Sequence, residues 1–219
     1  MAVGQVSAAD APSRSPRATR DARQADLLGH AAAAILEQGG LPLSFERFSR
    51  LAGVSKALIY NYFPTQAALG TALLQQELEA VDRVALAQAA ALPDPAAAAR
   101  ACAAFYFDIV VARGPLLHLL LADPIVAQGE GRGVAVRAGL LLRPLVRRLR
   151  SALDLTAREA NAVLHLLMTY PEEAGRKAFR GEANRALARQ LCGEAVAAGI
   201  AGLSGGGDDR GEVLGADLL

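Results

Sequence analysis

The chain has 219 residues, a formal net charge of +1 and 53% apolar residues, enough for one ordinary domain or a small domain joined to a larger one. It begins without the apolar stretch of a secretory signal, and charged residues such as Arg100 and Asp108 interrupt its most apolar segment. Its two cysteines, Cys102 and Cys192, exclude a disulfide framework or a zinc ribbon. We therefore expect a cytoplasmic protein with no membrane segment, no metal and no cofactor.

The composition predicts an all-α fold, because alanine favours helices and alternating runs of β-branched residues are scarce. Residues 1–20 contain prolines, small residues and arginines, which is typical of a disordered arm. Apolar residues then recur at helical spacing over 21–38, which predicts the first helix. Gly39 and Gly40 should end this helix, because glycine accepts the left-handed cap conformation.

Two short helices are predicted at 45–52 and 55–63, with Ser44 and Ser55 as their N-caps. A long helix should follow from Pro64 to about residue 92. We expect a boundary inside it, near residue 75, between a small N-terminal and a larger C-terminal domain. The predicted division is an arm at 1–20, a small helical domain at 21–75, a larger helical domain at 76–203, and a flexible tail at 204–219.

The C-terminal part is predicted to be helical throughout. Its helices are expected at about 95–112, 115–122, 132–152, 156–179 and 182–203. Thr156 and Glu159 have the spacing of a capping box, in which each side chain bonds the backbone of the other residue. Pro171 lies inside the fourth of these helices and should kink or split it, because proline removes one backbone hydrogen bond.

Residues 45–63 read FERFSRLAGVSKALIYNYF and match the pattern of two short helices joined by a tight turn. Gly53 supplies a residue free to take positive φ, and Ala52 is small enough for close helix contact. Apolar residues such as Phe48 and Ile59 stand at the inward offsets. This pattern is typical of a helix-turn-helix, whose second helix enters the major groove of DNA, although other helix pairs with a glycine turn also show it.

The longer string GVSKALIYNYFPTQAAL, residues 53–69, is similar to the N-terminal signature of the tetracycline-repressor (TetR) family of bacterial regulators. The resemblance covers roughly residues 21–74. It implies a three-helix helix-turn-helix domain followed by a larger helical domain. It also implies a ligand-responsive repressor that binds a palindromic double-stranded DNA operator as a homodimer and catalyses no reaction. The sequence departs from the family at Gln66, where a lysine or arginine usually touches a phosphate.

The resemblance also implies which residues contact DNA. The residues expected to contact base edges are Lys56, Ala57, Tyr60 and Asn61. The residues expected to contact phosphates are Ser44, Ser55, Tyr60 and Tyr62. Arg17, Arg20 and Arg23 recur every three residues. They either reach the minor groove or the DNA backbone, or only keep the arm in solution.

In the family, the C-terminal domain holds a ligand pocket between helices and a dimer interface on its last two long helices. An apolar pocket with a few polar groups would suit a small hydrophobic effector. The candidate pocket residues, each of which also suits a protein core, are Cys102, Phe105, Tyr106, Ile109, Leu117, His118, Leu121, His165, Met168 and Thr169. The candidate interface residues, some of which must face the core of their own protomer, are Leu164, Leu167, Leu187, Leu191, Val196 and Ile200.

Two other classes of protein were compared with this interpretation. Residues 129–133 (GEGRG) faintly resemble a phosphate-binding loop, but no predicted strand precedes them and the P-loop lysine is missing. We therefore expect no catalysis. The alternative is a helical protein–protein adaptor with a degenerate DNA-reading head, which the intact set of Lys56, Tyr60 and Tyr62 disfavours.

Overall fold

The computed structural model describes residues 16–205. Within that range the chain forms helices and no strand, which confirms the predicted all-α class. Residues 1–15 of the predicted arm and 206–219 of the predicted tail lie outside the described residues. The helices are α1 (Pro16–Gln38), α2 (Phe45–Leu51), α3 (Lys56–Tyr62), α4 (Gln66–Glu79), α5 (Arg83–Ala90), α6 (Pro95–Arg113), α7 (Leu116–Ala122), α8 (Pro124–Gln128), α9 (Gly131–Leu141), α10 (Arg143–Leu153), α11 (Ala157–Phe179) and α12 (Arg185–Gly205).

Helix ends that carry a strong local signal were predicted well. Ser44 and Ser55 cap α2 and α3, and Thr156 and Glu159 form the expected capping box at the start of α11. The turn between α1 and α2 begins at Gly39 with φ of +87°. Hydroxyl caps and a glycine stop are decided within one helical turn, so the neighbouring sequence is sufficient to specify them.

Several predicted helices differ from the structure. The helix expected over 64–92 is two helices, because Asp82 caps α5 by accepting hydrogen bonds from the next backbone N–H groups. The helix expected over 132–152 divides into α9 and α10, with Pro144 in the first turn of α10. The first helix begins at Pro16, so residues 16–20 of the predicted arm are helical, and α12 likewise includes Ser204 of the predicted tail. Pro171 does not split α11.

Two large apolar cores, and a small third cluster of Phe107, Ala188 and Cys192, hold the described part of the chain together. The first joins α1, α2, α3 and α4, and it also includes Leu116, Leu117 and Leu120 of α7, Val126 of α8 and Val134 of α9. The second joins α5, α6, α10, α11 and α12. We call α1–α4 the head and α5–α12 the body. The first core therefore packs the head directly on α7, α8 and α9 of the body.

Helix α4 contacts α7, α8 and α9 of the body. Gly70 of α4 faces α8, and a Cβ added there would lie 2.5 Å from Val126 Cγ2 and 2.8 Å from Leu41 Cδ1. A side chain at position 70 would therefore push α8 away from α4. Because Gly70 has no side chain, α4 of the head can pack closely against α8 of the body.

A buried ion pair also joins the head to the body. Arg113, at the end of α6, donates from Nε to Glu77 Oε2 of α4 at 2.5 Å and from Nη2 to Oε1 at 2.6 Å. The Glu77 side chain is 2% exposed and the Arg113 side chain 36%. The hydrogen bond to Glu77 raises the pKa of the Arg113 guanidinium above its usual value. This bidentate pair ties the last turn of α4 to α6.

Helix α6 is the only helix among residues 16–205 whose length and composition would suit a membrane span. It nevertheless contacts α5, α10, α11 and α12 as the central helix of the body. Its polar residues Arg100 and Asp108 pair with Glu194 and Arg189 of α12 at 2.9 Å. The apolar composition of α6 therefore matches its position in the core.

Candidate nucleic-acid interface

The α2–α3 unit is a tight helix–turn–helix. Gly53 in the turn has φ of +64°, a conformation that side-chain-bearing residues rarely adopt. The Val54 N–H donates to the Ser49 carbonyl at 3.0 Å and closes the turn. The Ser55 hydroxyl caps α3 by accepting from the Leu58 backbone N–H at 3.2 Å, which satisfies one of the unpaired N–H groups in the first turn of the helix. The predicted helix-turn-helix is thus formed at the predicted residues.

Helix α3 has one buried and one exposed side. Ile59 is fully buried in the head core, and Phe63, directly after the helix, is also buried. Lys56, Ala57, Tyr60 and Asn61 are exposed. These four residues are the ones expected to face base edges, and the structure places them on the solvent side of a helix whose opposite side is fixed by packing.

Aromatic contacts hold the exposed side chains of α3. The Tyr60 ring meets Phe45 edge to face, with ring centroids 5.1 Å apart, and the Lys56 Nζ lies 5.9 Å from the centre of the Tyr60 ring. The Arg20 guanidinium lies 5.7 Å from the centre of the Tyr62 ring. These contacts limit side-chain freedom before any ligand binds, and they place Arg20 of α1 on the α3 surface.

Among the residues expected to contact phosphates, Ser44 and Ser55 lie at helix starts, whereas Tyr60 and Tyr62 lie in the second half of α3. The hydroxyl groups of Ser44 and Ser55 accept from backbone N–H groups at 3.3 and 3.2 Å, which leaves each hydroxyl proton available for donation. Tyr62 is half-buried, whereas Arg23 is exposed on α1. Arg17 lies within α1.

Gln66 makes contacts inside the head. Its Oε1 accepts from the Leu43 backbone N–H at 2.9 Å, and its Nε2 donates to the Leu43 carbonyl at 2.7 Å. The residue at which the sequence departs from the TetR signature therefore pairs with the segment that leads into α2. Sequence reasoning did not find this role, because the partner lies 23 residues away and no local pattern marks it.

The predicted pocket residues do not converge on one cavity. Cys102 is buried in the body core, against which Phe105, Ile109 and Met168 also pack. Leu117 is buried in the head core, against which Tyr106 packs. The remaining predicted residues lie on the surface: His118, Leu121, His165 and Thr169. The sequence analysis could not separate core residues from surface residues, because apolar residues recur at the same helical spacing in both settings.

A buried polar cluster was missed by the sequence analysis. Glu172 of α11 is almost fully buried and accepts a hydrogen bond from the Tyr106 hydroxyl. His118 Nδ1 lies 4.0 Å from Glu172 Oε2, and Arg176 Nη2 lies 3.8 Å from Oε1. Burial, and then the nearby Glu172 carboxylate, raise the pKa of Tyr106. Two of the predicted pocket residues therefore lie at this carboxylate: Tyr106 donates a hydrogen bond to it, and the exposed His118 lies beside it.

An open groove of about 580 Å³ runs between α11 and α12. Leu187 and Leu191, two of the predicted interface residues, line it together with Tyr170 and Thr169. Both leucines are more than half exposed, as is Leu166 of α11 at 70%. The other predicted interface residues are buried in the core of their own protomer and must be withdrawn: Leu164, Leu167, Val196 and Ile200.

Among residues 16–205 no group of three or more histidine, cysteine, aspartate or glutamate side chains has the geometry of a metal site. Both cysteines are buried and free. Burial raises the pKa of Cys102 to about 11. This thiol therefore stays protonated at neutral pH.

Solved structures of similar fold come from several bacteria. A TetR-like transcriptional regulator from Rhodococcus sp. RHA1 has a TM-score of 0.59 and 19% identity, over 86% of this chain and 100% of that one. A TetR family transcription regulator from Marinobacter aquaeolei VT8 has a TM-score of 0.58 and 16% identity, over 82% and 97%. A TetR-family transcriptional regulator from Streptomyces coelicolor has a TM-score of 0.53 and 23% identity, over 87% and 86%.

No protein-family model and no curated protein matches the sequence. The structural likeness covers most of this chain and nearly all of the Rhodococcus and Marinobacter chains. The protein therefore has the fold of the TetR-family transcriptional regulators, with an N-terminal helix-turn-helix and a helical C-terminal body.

Proposed function

We propose that the protein is a transcriptional regulator that places α3 in the major groove of double-stranded DNA. The observation that carries this proposal is the solvent side of α3, where Lys56, Ala57, Tyr60 and Asn61 are all exposed while Ile59 anchors the helix in the core. A helix held rigidly on one side and polar on the other is what groove recognition needs.

The exposed side chains have suitable chemistry for reading bases. A lysine donates to guanine O6 and N7, an asparagine pairs with adenine, and an alanine methyl meets the thymine methyl. In this proposal Lys56, Asn61 and Ala57 take these roles. Tyr60 lies beside them and reaches either a base or the backbone.

The proposed phosphate contacts surround α3. They are made by Ser44, Ser55, Tyr60 and Tyr62, with Arg20 and Arg23 of α1 adding positive charge on the same side of the head. Arg20 is supported in this role by its position over the Tyr62 ring. Contacts of this kind fix the register of the protein on DNA, and the base contacts then supply the specificity.

We infer that the protein acts as a homodimer on a palindromic operator, with one α3 in each half-site. Half-sites one helical turn apart require the two heads to lie about 34–36 Å apart. The groove between α11 and α12 is the proposed interface, because it presents the exposed apolar side chains of Tyr170, Leu187 and Leu191 on adjacent helices. Leu166, one turn before Tyr170 on α11, extends this exposed apolar surface. Such exposed apolar surface marks an interaction site.

Light scattering after size-exclusion chromatography tests the dimer. Leu187→Glu should yield monomers, because it places a charge in the proposed interface. Val84→Glu is the matched control, since Val84 is 67% exposed on α5 and lies outside the groove. A dimer that survives Leu187→Glu and Leu191→Glu together would reject this interface.

We further propose that the protein is a repressor released by a small hydrophobic effector that binds in the body. This proposal is supported by four partly buried side chains on the contacting helices α6 and α11, namely Phe105, Tyr106, Ile109 and Met168. An effector acts only if it binds one head arrangement better than the other. A panel of apolar compounds should therefore contain one that releases a bound operator duplex.

Selection of duplexes from a random library, followed by fluorescence anisotropy at two salt concentrations, tests DNA recognition. The selected operator should bind far more tightly than unrelated duplex, and both affinities should fall as salt rises. Lys56→Ala should weaken operator binding by about 1–3 kcal/mol, whereas Arg83→Ala on the exposed surface of α5 should have little effect. Failure to select any preferred duplex would reject the proposal and favour the adaptor.

A further inference from the structure

The segment that connects α1 to α2 is held by side chains rather than by secondary structure. The Gln38 side-chain amide donates to the carbonyls of Gly40 and Pro42, at 2.6 and 3.0 Å. The Leu41 N–H donates to Asp123 Oδ2 at 3.3 Å, and Asp123 is a buried residue of the body. This segment is thus fixed from two sides before it reaches α2.

The last residue of the segment, Leu43, is held by Gln66. The Gln66 amide pairs with both the N–H and the carbonyl of Leu43, at 2.9 and 2.7 Å. Leu43 is fully buried and directly precedes Ser44. Gln66 itself is the first residue of α4, after the N-cap Thr65. Two hydrogen bonds therefore fix the distance between the start of α2 and the start of α4.

The residue type at position 66 follows from these two bonds. A side-chain amide has both a donor and an acceptor, so it can pair with a backbone N–H and a carbonyl together. Lysine and arginine have donors only, and neither can accept from the Leu43 N–H. Position 66 therefore lacks the lysine or arginine that would point toward a phosphate. Its glutamine instead makes a contact with Leu43 that orders the head.

We propose that Gln66 is a positioning residue for DNA docking. It holds Leu43, and through it Ser44, at a fixed place relative to the start of α4, and it does so without touching DNA. This inference rests on the proposed function. A positioning residue differs from a phosphate contact in one measurable way. Its replacement alters the preference for the operator and leaves the number of neutralised phosphates unchanged.

The test uses the full chain and three variants. Gln66→Met keeps the side-chain length and removes both hydrogen bonds, whereas Gln66→Lys removes the acceptor and adds a charge. Gln75→Met is the matched control, because Gln75 is an exposed glutamine of the same helix. The probes are the selected operator duplex and a random duplex of equal length, titrated by anisotropy at several salt concentrations well below the melting temperature of each variant.

We expect Gln66→Met to bind the operator roughly ten-fold more weakly, because the start of α2 loses both hydrogen bonds that hold it to the start of α4, and to bind the random duplex as before. The salt dependence should not change, because no phosphate contact is lost. Gln66→Lys should bind the random duplex more tightly, with a slope of log affinity against log salt steeper by about 0.9, and should discriminate less. Amide hydrogen exchange of Leu43 should be faster in both variants but not in Gln75→Met.

Three results separate the possibilities. Operator binding by Gln66→Met within two-fold of wild type would overturn the positioning role. Equal weakening on both duplexes would also overturn it, since loss of folded protein or of a backbone contact would produce that pattern. A wild-type protein that prefers no duplex would instead reject the proposed function itself, whatever the variants do.

Discussion

Removing Glu77 and Arg113 separately and together tests how the head is fastened to the body. The two side chains form a bidentate pair between α4 and α6, and they differ sharply in exposure, with Glu77 at 2% and Arg113 at 36%. We predict that Arg113→Ala is more destabilising than Glu77→Ala. In the first variant a carboxylate is left buried without its partner, and in the second the remaining guanidinium can turn toward water.

The magnitudes follow from the geometry. At about 3 Å between charges and an effective dielectric constant near 20, the attraction is roughly 5 kcal/mol, and desolvation of both ions offsets most of it. Arg113→Ala should lower the free energy of unfolding by about 3–4 kcal/mol, the cost of an unpaired buried charge. Glu77→Ala should lower it by roughly 1–2 kcal/mol because its partner is partly solvated. The double variant should lose about 3 kcal/mol, so the two single losses together exceed the double loss by a coupling energy of about 2 kcal/mol.

Urea denaturation at pH 7 measures all four proteins of this double-mutant cycle. The pair between Asp108 and Arg189 is the control, since it is also bidentate but both side chains are at least 40% exposed. Its coupling energy should stay below about 1 kcal/mol. The reasoning is refuted if Glu77→Ala is the more destabilising change, or if the coupling of the buried pair does not exceed that of the exposed one.

Three further predictions concern packing and titration. Gly70→Ala places a methyl 2.5 Å from the nearest α8 side-chain carbon and should destabilise the protein by about 1–3 kcal/mol. Gly29→Ala, with nothing within 4 Å, should stabilise it by roughly 0.5–1 kcal/mol, and equal effects in urea denaturation would contradict this account. Because burial raises the pKa of the Cys102 thiol to about 11, iodoacetamide at pH 8 should modify Cys102 only after unfolding, as read by peptide mass spectrometry; rapid labelling of the folded protein would contradict it. Burial, and then Glu172, raise the pKa of Tyr106 above its unfolded value near 10. The stability that the Tyr106 hydroxyl adds, measured against Tyr106→Phe, should therefore be constant below about pH 10 and fall by about 1.4 kcal/mol per pH unit above it. A stability difference that grows with pH in urea denaturation would refute the assignment.

The head was predicted in detail because its signals are local. Gly53 marks the turn, Ser44 and Ser55 mark the helix starts, and the buried position of Ile59 follows from helical spacing. Each of these features is decided by residues within one or two helical turns. The candidate DNA-contacting residues were named from the resemblance to the TetR signature, and the structure places Lys56, Ala57, Tyr60 and Asn61 on the exposed side of α3.

The body was predicted less well because its helices are apolar on more than one side. Leu164 and Leu187 both lie at interface-like spacing, yet the first is buried in the protomer and the second is exposed. Alanine-rich helices give little contrast between these surfaces. The break between α4 and α5 was also missed, because its one signal is the Asp82 cap in a segment otherwise suited to a continuous helix.

Contacts between distant residues could not be predicted at all. Gln66 was interpreted only as a lost phosphate contact, whereas it pairs with Leu43. The burial of Glu172 beside Tyr106 likewise joins residues 66 positions apart. The domain boundary near residue 75 stays a prediction.

The shared core of the head has a consequence for protein engineering. Five of its buried side chains come from α7, α8 and α9, so a chimera made by joining a foreign DNA-reading head at residue 75 would bring an unmatched surface against them. Glu77 and Arg113 both lie after residue 75, so their ion pair would remain within one parent and would not compensate for this mismatch. If the proposed function holds, a variant with altered operator choice is better obtained by replacing the exposed residues of α3 alone, which leaves every buried partner of the head in place.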